Sequence, residues 1–262
     1  MTSSTSHHPP SFSLAGKLAL ITGSTQGLGL EIASAYAASG ARVIINGRSR
    51  QRVLDTVARL GNHGFTAHPY VQDIGDLERL AASYAELTSL AGTPDILVNN
   101  VGIRMRQPLA ESSTADVQTL IRVDLLAAIE LSRLSAAAMR DHGRQGRIIT
   151  LTSIAGELAN PGDAIYPIAK QGLAGLVRAL AVEFGPAGIT SNGIAPGTFA
   201  TETNAALVND PVRGPALVGR NPSGRWGRPD EIAGAAVFLA SSSASYVNGH
   251  ILVVDGGYSI TF

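Results

Sequence analysis

The chain predicts an α/β fold, a parallel sheet covered by helices within one domain, and three observations carry this. From Lys17 onward, short β-rich runs alternate with longer helical patterns at intervals that suit strand-helix units. No linker-like stretch and no internal repeat interrupts that alternation. The 262 residues, 45% apolar and 15% charged, suffice for a large buried core and are unlike a disordered or coiled-coil chain.

Residues 1–13, MTSSTSHHPPSFS, lack the basic and apolar regions of a secretory signal and read as a disordered polar tail. A first strand over Lys17–Thr22 runs into a glycine-rich turn and a helix over Leu28–Ala38. Strands follow at Arg42–Asn46 and Thr66–Val71, then a helix at Leu77–Leu90 and a strand at Ile96–Asn99. One long helix is expected over Ala115–Arg140, a strand at Arg147–Thr152 and a second long helix over Ala164–Phe184. The last elements are a strand at Thr190–Ile194, a helix at Pro229–Ala240 and a strand at Ile251–Val254. Seven strands fit a single domain over 14–262. Between them, residues 201–221 have weak periodicity and several Pro and Gly, as expected of an excursion from the sheet that serves as a substrate lid.

Composition narrows the chemistry. Twenty basic residues balance twenty acidic ones, which gives no field for nucleic acid or anionic lipid. With no cysteine, thiolate nucleophiles, disulfides and cysteine-held metals are excluded. The six histidines are scattered without metal-ligand spacing, so no metal is expected. No apolar run approaches the roughly 18 residues of a membrane span, and a soluble, cytoplasmic protein is the expectation.

The first strand leads into Thr22-Gly23-Ser24-Thr25-Gln26-Gly27-Leu28-Gly29. Gly23 suits a tight turn, Gly27 admits a pyrophosphate to the backbone, and Gly29 permits close helix-strand packing while the helix N-terminus faces the anion. About twenty residues on, where an acid would hold a ribose 2′-hydroxyl, the second strand ends Ile45-Asn46-Gly47-Arg48. Gly47 leaves space and Arg48 offers a fork suited to a 2′-phosphate, which favours NADP(H) while NAD(H) stays possible; the alternative is a solvated charge at a strand end. Asp73, followed by Ile74, either accepts from the adenine amino group or serves a turn or helix cap. Asn99-Asn100-Val101-Gly102 places a small-residue turn at the carboxyl ends of the strands, where ligands bind in open sheets.

Tyr166-Pro167-Ile168-Ala169-Lys170 puts a phenol and an ammonium at i and i+4, on one helix face. A neighbouring cation favours phenolate, so a tyrosine so placed serves as acid or base nearer neutrality. Ser153, at the end of a strand thirteen residues earlier, has a hydroxyl that suits a substrate carbonyl oxygen.

Taken together, TGSTQGLG at 22–29, Asp73, NNVG at 99–102, Ser153, Tyr166-xxx-Lys170, Asn192–Gly197 and Val254–Gly257 resemble the short-chain dehydrogenase/reductase family from Leu14 to the end. The resemblance implies a Rossmann-type doubly wound sheet in the order 3-2-1-4-5-6-7 with helices on both faces. It implies hydride exchange between a nicotinamide and an alcohol or ketone, and a homotetramer. By this likeness Tyr166 passes the proton, Lys170 also holds the nicotinamide ribose, and Ser153 orients the oxygen. Pro196, Gly197 and Thr198 would back the nicotinamide.

Three departures from the family pattern stand out. Asp124 occupies the place of a helix asparagine and is counted with the catalytic residues, either pairing with Lys170 or failing to replace the amide. Val101 replaces an alanine beside the cofactor, and Pro167 directly follows the tyrosine, so the helix is expected to begin or kink near Tyr166. Within the family, Ile45-Asn46, Gly102-Ile103-xx-Arg106-x-Pro108 and Arg225-Trp226-Gly227 look most like sugar-acid dehydrogenases acting on gluconate and 5-keto-gluconate. Arg104 or Arg106 would then clamp the carboxylate; the alternative is solvated loop charge or a subunit contact. A 3-oxoacyl thioester reductase and a catalytically silent nucleotide-binding regulator are the competing readings.

Overall fold

A computed structural model of the chain describes residues 11–143 and 145–261. Residues 1–10 of the expected tail lie outside them. Its last residues make contacts, since Phe12 meets Phe238 at 6.4 Å between ring centroids and Ser11 O accepts from the hydroxyls of Ser242 and Ser243.

Seven parallel strands form one sheet in the order 3-2-1-4-5-6-7: β1 Leu18–Ile21, β2 Arg42–Gly47, β3 Ala67–Val71, β4 Ile96–Asn99, β5 Arg147–Leu151, β6 Thr190–Pro196 and β7 Ile251–Val254. All four side chains of β1 are buried because helices cover both faces, and a strand so placed reads as an unbroken apolar run. Alternation still decides which core each residue enters. Ala19, Ile21, Val43, Ile45 and Val98 pack with helices α1 (Gly27–Ala38) and α9 (Ala233–Ala240), where Tyr36 Oη donates to Ala236 O at 3.0 Å. Leu18, Leu20, Ile44 and Leu97 pack with helices α3 (Leu77–Ala91) and α5 (Ala127–Asp141) on the other face.

Helix starts follow from local chemistry. Helix α2 (Arg50–Asn62), which lies in a gap between expected strands, is capped by Ser49, whose side chain accepts from Arg52 N. Asp76 caps α3 in the same way. A reciprocal Ser113–Asp116 capping box opens α4 (Thr114–Ile121). Helix α6 runs Ile165–Phe184, so Pro167 falls within its first turn, where the missing N–H is harmless.

The long helix expected over Ala115–Arg140 is interrupted. Between α4 and α5 lies a π-turn over Arg122–Leu126 with Asp124 at its centre and buried. Such one-turn bulges insert a residue without ending the helix and leave no mark on hydrophobic periodicity. The strand expected over Thr190–Ile194 extends to Pro196, whose ring sits at the strand's end beside Val254. The 201–221 excursion contains a 3-10 turn at Glu202–Asn204 and two short helices, α7 (Ala205–Val208) and α8 (Arg213–Val218).

Candidate active site

Strand β1 pairs with β2 on one side and β4 on the other, so the strand order reverses beside it and a crevice opens at the carboxyl ends. The glycine loop occupies that crevice. Gly23 has φ +61°, and a Cβ built there would lie 2.8 Å from Val101 Cγ2. The larger side chain at 101 therefore rests against the turn itself, and Gly23 could bear no side chain beneath it. Around the loop, hydrogen bonds fix its shape. Thr22 Oγ1 accepts from Asn100 N at 2.9 Å and Val101 N at 3.2 Å, and Asn100 Nδ2 donates to Thr22 O at 2.9 Å. Ser24 is fully buried, its hydroxyl donating to Ile21 O at 2.8 Å and accepting from Asn46 N at 3.0 Å. Its side chain thus locks the turn from behind, whereas Thr25, Gln26 and Leu28 lie on the less buried side.

Sequence reasoning did not single out Asn46 as a site residue. Its Oδ1 accepts from Gly23 N at 3.2 Å and its amide donates to the carbonyls of Tyr70 and Gln72, joining β2, β3 and the glycine loop. Arg52 was also missed, and it donates to Gln26 Oε1 at 3.0 Å from the first turns of α2. The Ser49 cap with Val53 and Leu60 on one face was the available signal. Arg48 is exposed and lies 3.8 Å from the Asp73 carboxylate. Asp73 Oδ1 accepts from Gly75 N at 2.9 Å, so it does serve the turn that carries Ile74.

At the opposite side of the crevice, β6 ends in Pro196 and Gly197 N donates to Val254 O at 2.9 Å. The Thr198 hydroxyl that follows is buried with no hydrogen-bond partner. A buried donor-acceptor group left unpaired is costly, and a carboxamide is the kind of ligand group that satisfies it, so this end fits a nicotinamide. The 201–221 segment crosses back over the glycine loop: a Cβ built on Gly27 would lie 3.6 Å from Glu202 Oε2 and 3.7 Å from Thr201 Cγ2.

Chemistry-bearing side chains converge between these ends. Tyr166 is 8% exposed in an apolar cluster with Leu120, Ile165 and Ala169. Ser153 caps the 3-10 turn Ile154–Gly156, accepting from Ala155 N at 3.1 Å, and that turn packs Ala155 into the same cluster. Lys170 Nζ is 5.3 Å from the Tyr166 ring centroid and donates to Leu151 O at 3.4 Å. Asp124 meets the same ammonium at 3.4 Å, both side chains being buried. A Cβ on Gly102 would stand 2.8 Å from Asp124 Oδ2 and 3.0 Å from Lys170 Nζ, so the pair occupies the space that any larger residue would need. Of the two loop arginines, Arg106 is committed to the buried Asp163 carboxylate at 3.5 Å. Arg104 forms no ion pair among the described residues; it donates to Asn204 Oδ1 at 2.7 Å, and its guanidinium carbon lies 6.0 Å from the Tyr166 ring centroid. Among the described residues no cluster of His, Asp and Glu could hold a metal, and no helix is long and apolar enough to cross a membrane.

The family described as enoyl-(acyl carrier protein) reductase matches residues 23–259, which takes in the loop, the Ser-Tyr-Lys set and the Thr198 turn. The chain belongs to the short-chain dehydrogenase/reductase family. It is an oxidoreductase acting on CH–OH groups. Among short-chain dehydrogenases, it is 39% identical over 254 residues to the gluconate 5-dehydrogenase of Gluconobacter oxydans, covering 97% of this chain and 99% of that one. It is 37% identical to the 5-keto-D-gluconate 5-reductase of Escherichia coli, covering 94% and 96%. The crystal structure of a gluconate 5-dehydrogenase from Burkholderia cenocepacia in complex with NADP and tartrate superposes with a TM-score of 0.93 at 39% identity, covering 97% and 99%.

Proposed function

We propose that the protein is an NADP(H)-dependent oxidoreductase that interconverts a secondary alcohol and a ketone on a sugar acid such as gluconate and 5-keto-gluconate. The observation that carries the substrate class is Arg104, a cation that hydrogen-bonds a neutral amide and forms no ion pair among the described residues, held beside the ring of Tyr166. A carboxylate on the substrate is the ligand that such a guanidinium fork recognises. The relatives named for gluconate and 5-keto-gluconate support the same class.

Gly27, Gly29 and the start of α1 would hold the pyrophosphate, Arg48 the 2′-phosphate, and Asn100, Val101 and Gly102 the floor beside the nicotinamide. Lys170 would hold the nicotinamide ribose, with Pro196, Gly197 and Thr198 at the carboxamide. NADPH, when bound, supplies the hydride. In the reducing direction the Tyr166 hydroxyl gives its proton to the carbonyl oxygen, which the Ser153 hydroxyl holds in place; in oxidation the tyrosine takes the alcohol proton back. Lys170 stabilises the phenolate that results. Thr201–Asn204 bridge the glycine loop and Arg104, and so fit a lid that senses both cofactor and substrate. The exposed apolar side chains of Leu126 at the end of the π-turn, Ile129 on α5, and Ile168 and Val182 on α6 fit these segments meeting further copies of the chain in a homotetramer.

The test is consumption of NADPH by the purified protein with 5-keto-gluconate, set beside a 3-oxoacyl thioester. Turnover of the keto acid is expected, and turnover of the thioester alone would transfer the assignment to the competing 3-oxoacyl thioester reductase reading.

A further inference from the structure

Asp124 is fully buried, and its two oxygens have different partners. Oδ1 accepts from Ile103 N at 2.7 Å, on the loop that carries Arg104 and Arg106. Oδ2 faces Lys170 Nζ at 3.4 Å in a buried ion pair. The same ammonium lies 5.3 Å from the Tyr166 ring centroid. A negative charge on Asp124 therefore acts on the cation that acts on the phenol. Lys170 on its own helix and Arg104 on the loop after β4 lie over the ring of that phenol, and Asp124 in the π-turn faces Lys170; Arg106, two residues further along that loop, is paired with Asp163. Burial pushes the Asp124 carboxyl above the usual carboxylate range, and the Lys170 cation and the Ile103 N–H draw it back down.

Resting on the assignment of Tyr166 as acid and base, we propose that Asp124 is a positioning residue that fixes Lys170 through a buried ion pair and opposes that cation's pull on the phenol, so that alcohol oxidation sets in at higher pH than it would with an amide at position 124. The π-turn brings this carboxylate to the lysine, and the absence of a side chain at Gly102 leaves room for the pair. An amide at 124 would keep the bond to Ile103 N while removing the charge.

The experiment is the pH profile of kcat/KM for alcohol oxidation by the full chain with NADP+, comparing wild type with Asp124→Asn and Asp124→Ser. The rising limb is expected to move to lower pH by about one unit in both variants, the size of a charge effect between groups several ångströms apart in a medium of intermediate dielectric. Lower activity at every pH with the limb unmoved would mean a structural role only and would overturn the proposal. A second readout needs neither cofactor nor substrate: infrared spectroscopy of protein carrying 13C-labelled aspartate at pH 7. No protonated-carboxyl band that disappears in Asp124→Ser is expected. Such a band would mean that no charge opposes Lys170, which contradicts the proposal. Should neither variant fold, the same band sought in Asp163→Asn decides, because Asp163 is another aspartate whose carboxyl burial pushes up. If the sugar-acid assignment fails, the infrared result stands, and any CH–OH substrate that is turned over serves for the profile.

Discussion

Arg104 Nη1 donates to Asn204 Oδ1 at 2.7 Å, and this one bond ties the loop after β4 to the segment that crosses the glycine loop. Asn204 is itself anchored, its amide donating to Phe199 O at 2.7 Å, so the guanidinium is held from the β6 side of the crevice. Removing the charge with Arg104→Ala should raise KM for 5-keto-gluconate about 10- to 100-fold, the loss of one charge-assisted bond, with a smaller change in kcat. Asn204→Ala should raise KM less, because the cation remains but is no longer aimed. Steady-state kinetics on both variants checks this.

Arg106 should behave differently. Its carboxylate partner Asp163 is buried, and burial pushes that carboxyl up while Arg106 and Arg104 draw it down. Arg106→Ala leaves the acid without its ion pair, and a loss of about 1–3 kcal/mol in urea unfolding is expected. Arg104→Ala, which loses a hydrogen bond to a neutral amide and only a longer-range attraction to Asp163, should cost under about 1 kcal/mol in the same measurement.

Arg48→Ala should weaken use of NADPH about tenfold or more while leaving NADH unchanged, because only the 2′-phosphate distinguishes the two. The exposed 3.8 Å pairing with Asp73 is too weak to hold the arginine away from a phosphate. Fluorescence titration with each cofactor measures the ratio directly.

Much of this arrangement was legible in the sequence. The seven strands and the Gly23, Ser153, Tyr166 and Lys170 positions follow from apolar runs and spaced motifs, the strand order came from the family resemblance those motifs carry, and the Tyr-to-Lys spacing is a local property of a helix. The π-turn at Arg122–Leu126 was not legible, because an added residue in a helix shifts which face a side chain takes without altering composition. Nor did spacing separate Arg104 from Arg106: both occupy one loop, and only the tertiary approach of Asp163 to one and Asn204 to the other distinguishes them. Ser24 lies inside the glycine motif, yet its hydroxyl turns inward to Ile21 and Asn46, a choice set by the fold of two strands.

The buried Asp124 carboxyl also makes a stability claim. A folded-state value raised by burial means that the native state binds this proton more tightly than the unfolded chain, so the wild type loses stability as pH rises from the unfolded carboxylate range, about 4, to the raised folded value. The asparagine variant lacks this group. The stability of Asp124→Asn minus that of wild type should therefore increase as pH rises above about 4 and level off once the carboxyl is ionised, as read by urea unfolding at a series of pH values.

Gly102→Ala would drive a methyl against Asp124 Oδ2 and Lys170 Nζ, so the buried pair must shift to admit it. A loss of about 1–3 kcal/mol in stability and a fall in kcat of about 100-fold are expected, the second because the lysine is displaced from its tyrosine. Thermal unfolding and turnover of the same preparation separate the two effects.

The most direct test of proton transfer by Tyr166 is NADPH oxidation with 5-keto-gluconate by wild type and Tyr166→Phe, with NADPH binding measured on both. Expected is turnover by the wild type, a fall of about 1,000-fold or more in the variant, and NADPH affinity changed by less than about threefold. Undiminished turnover by Tyr166→Phe would contradict the assignment of the phenol. Tight NADPH binding by a wild type that does not reduce 5-keto-gluconate would contradict the sugar-acid assignment and move the weight to another carbonyl substrate or to a nucleotide-binding role enforced by Asp124.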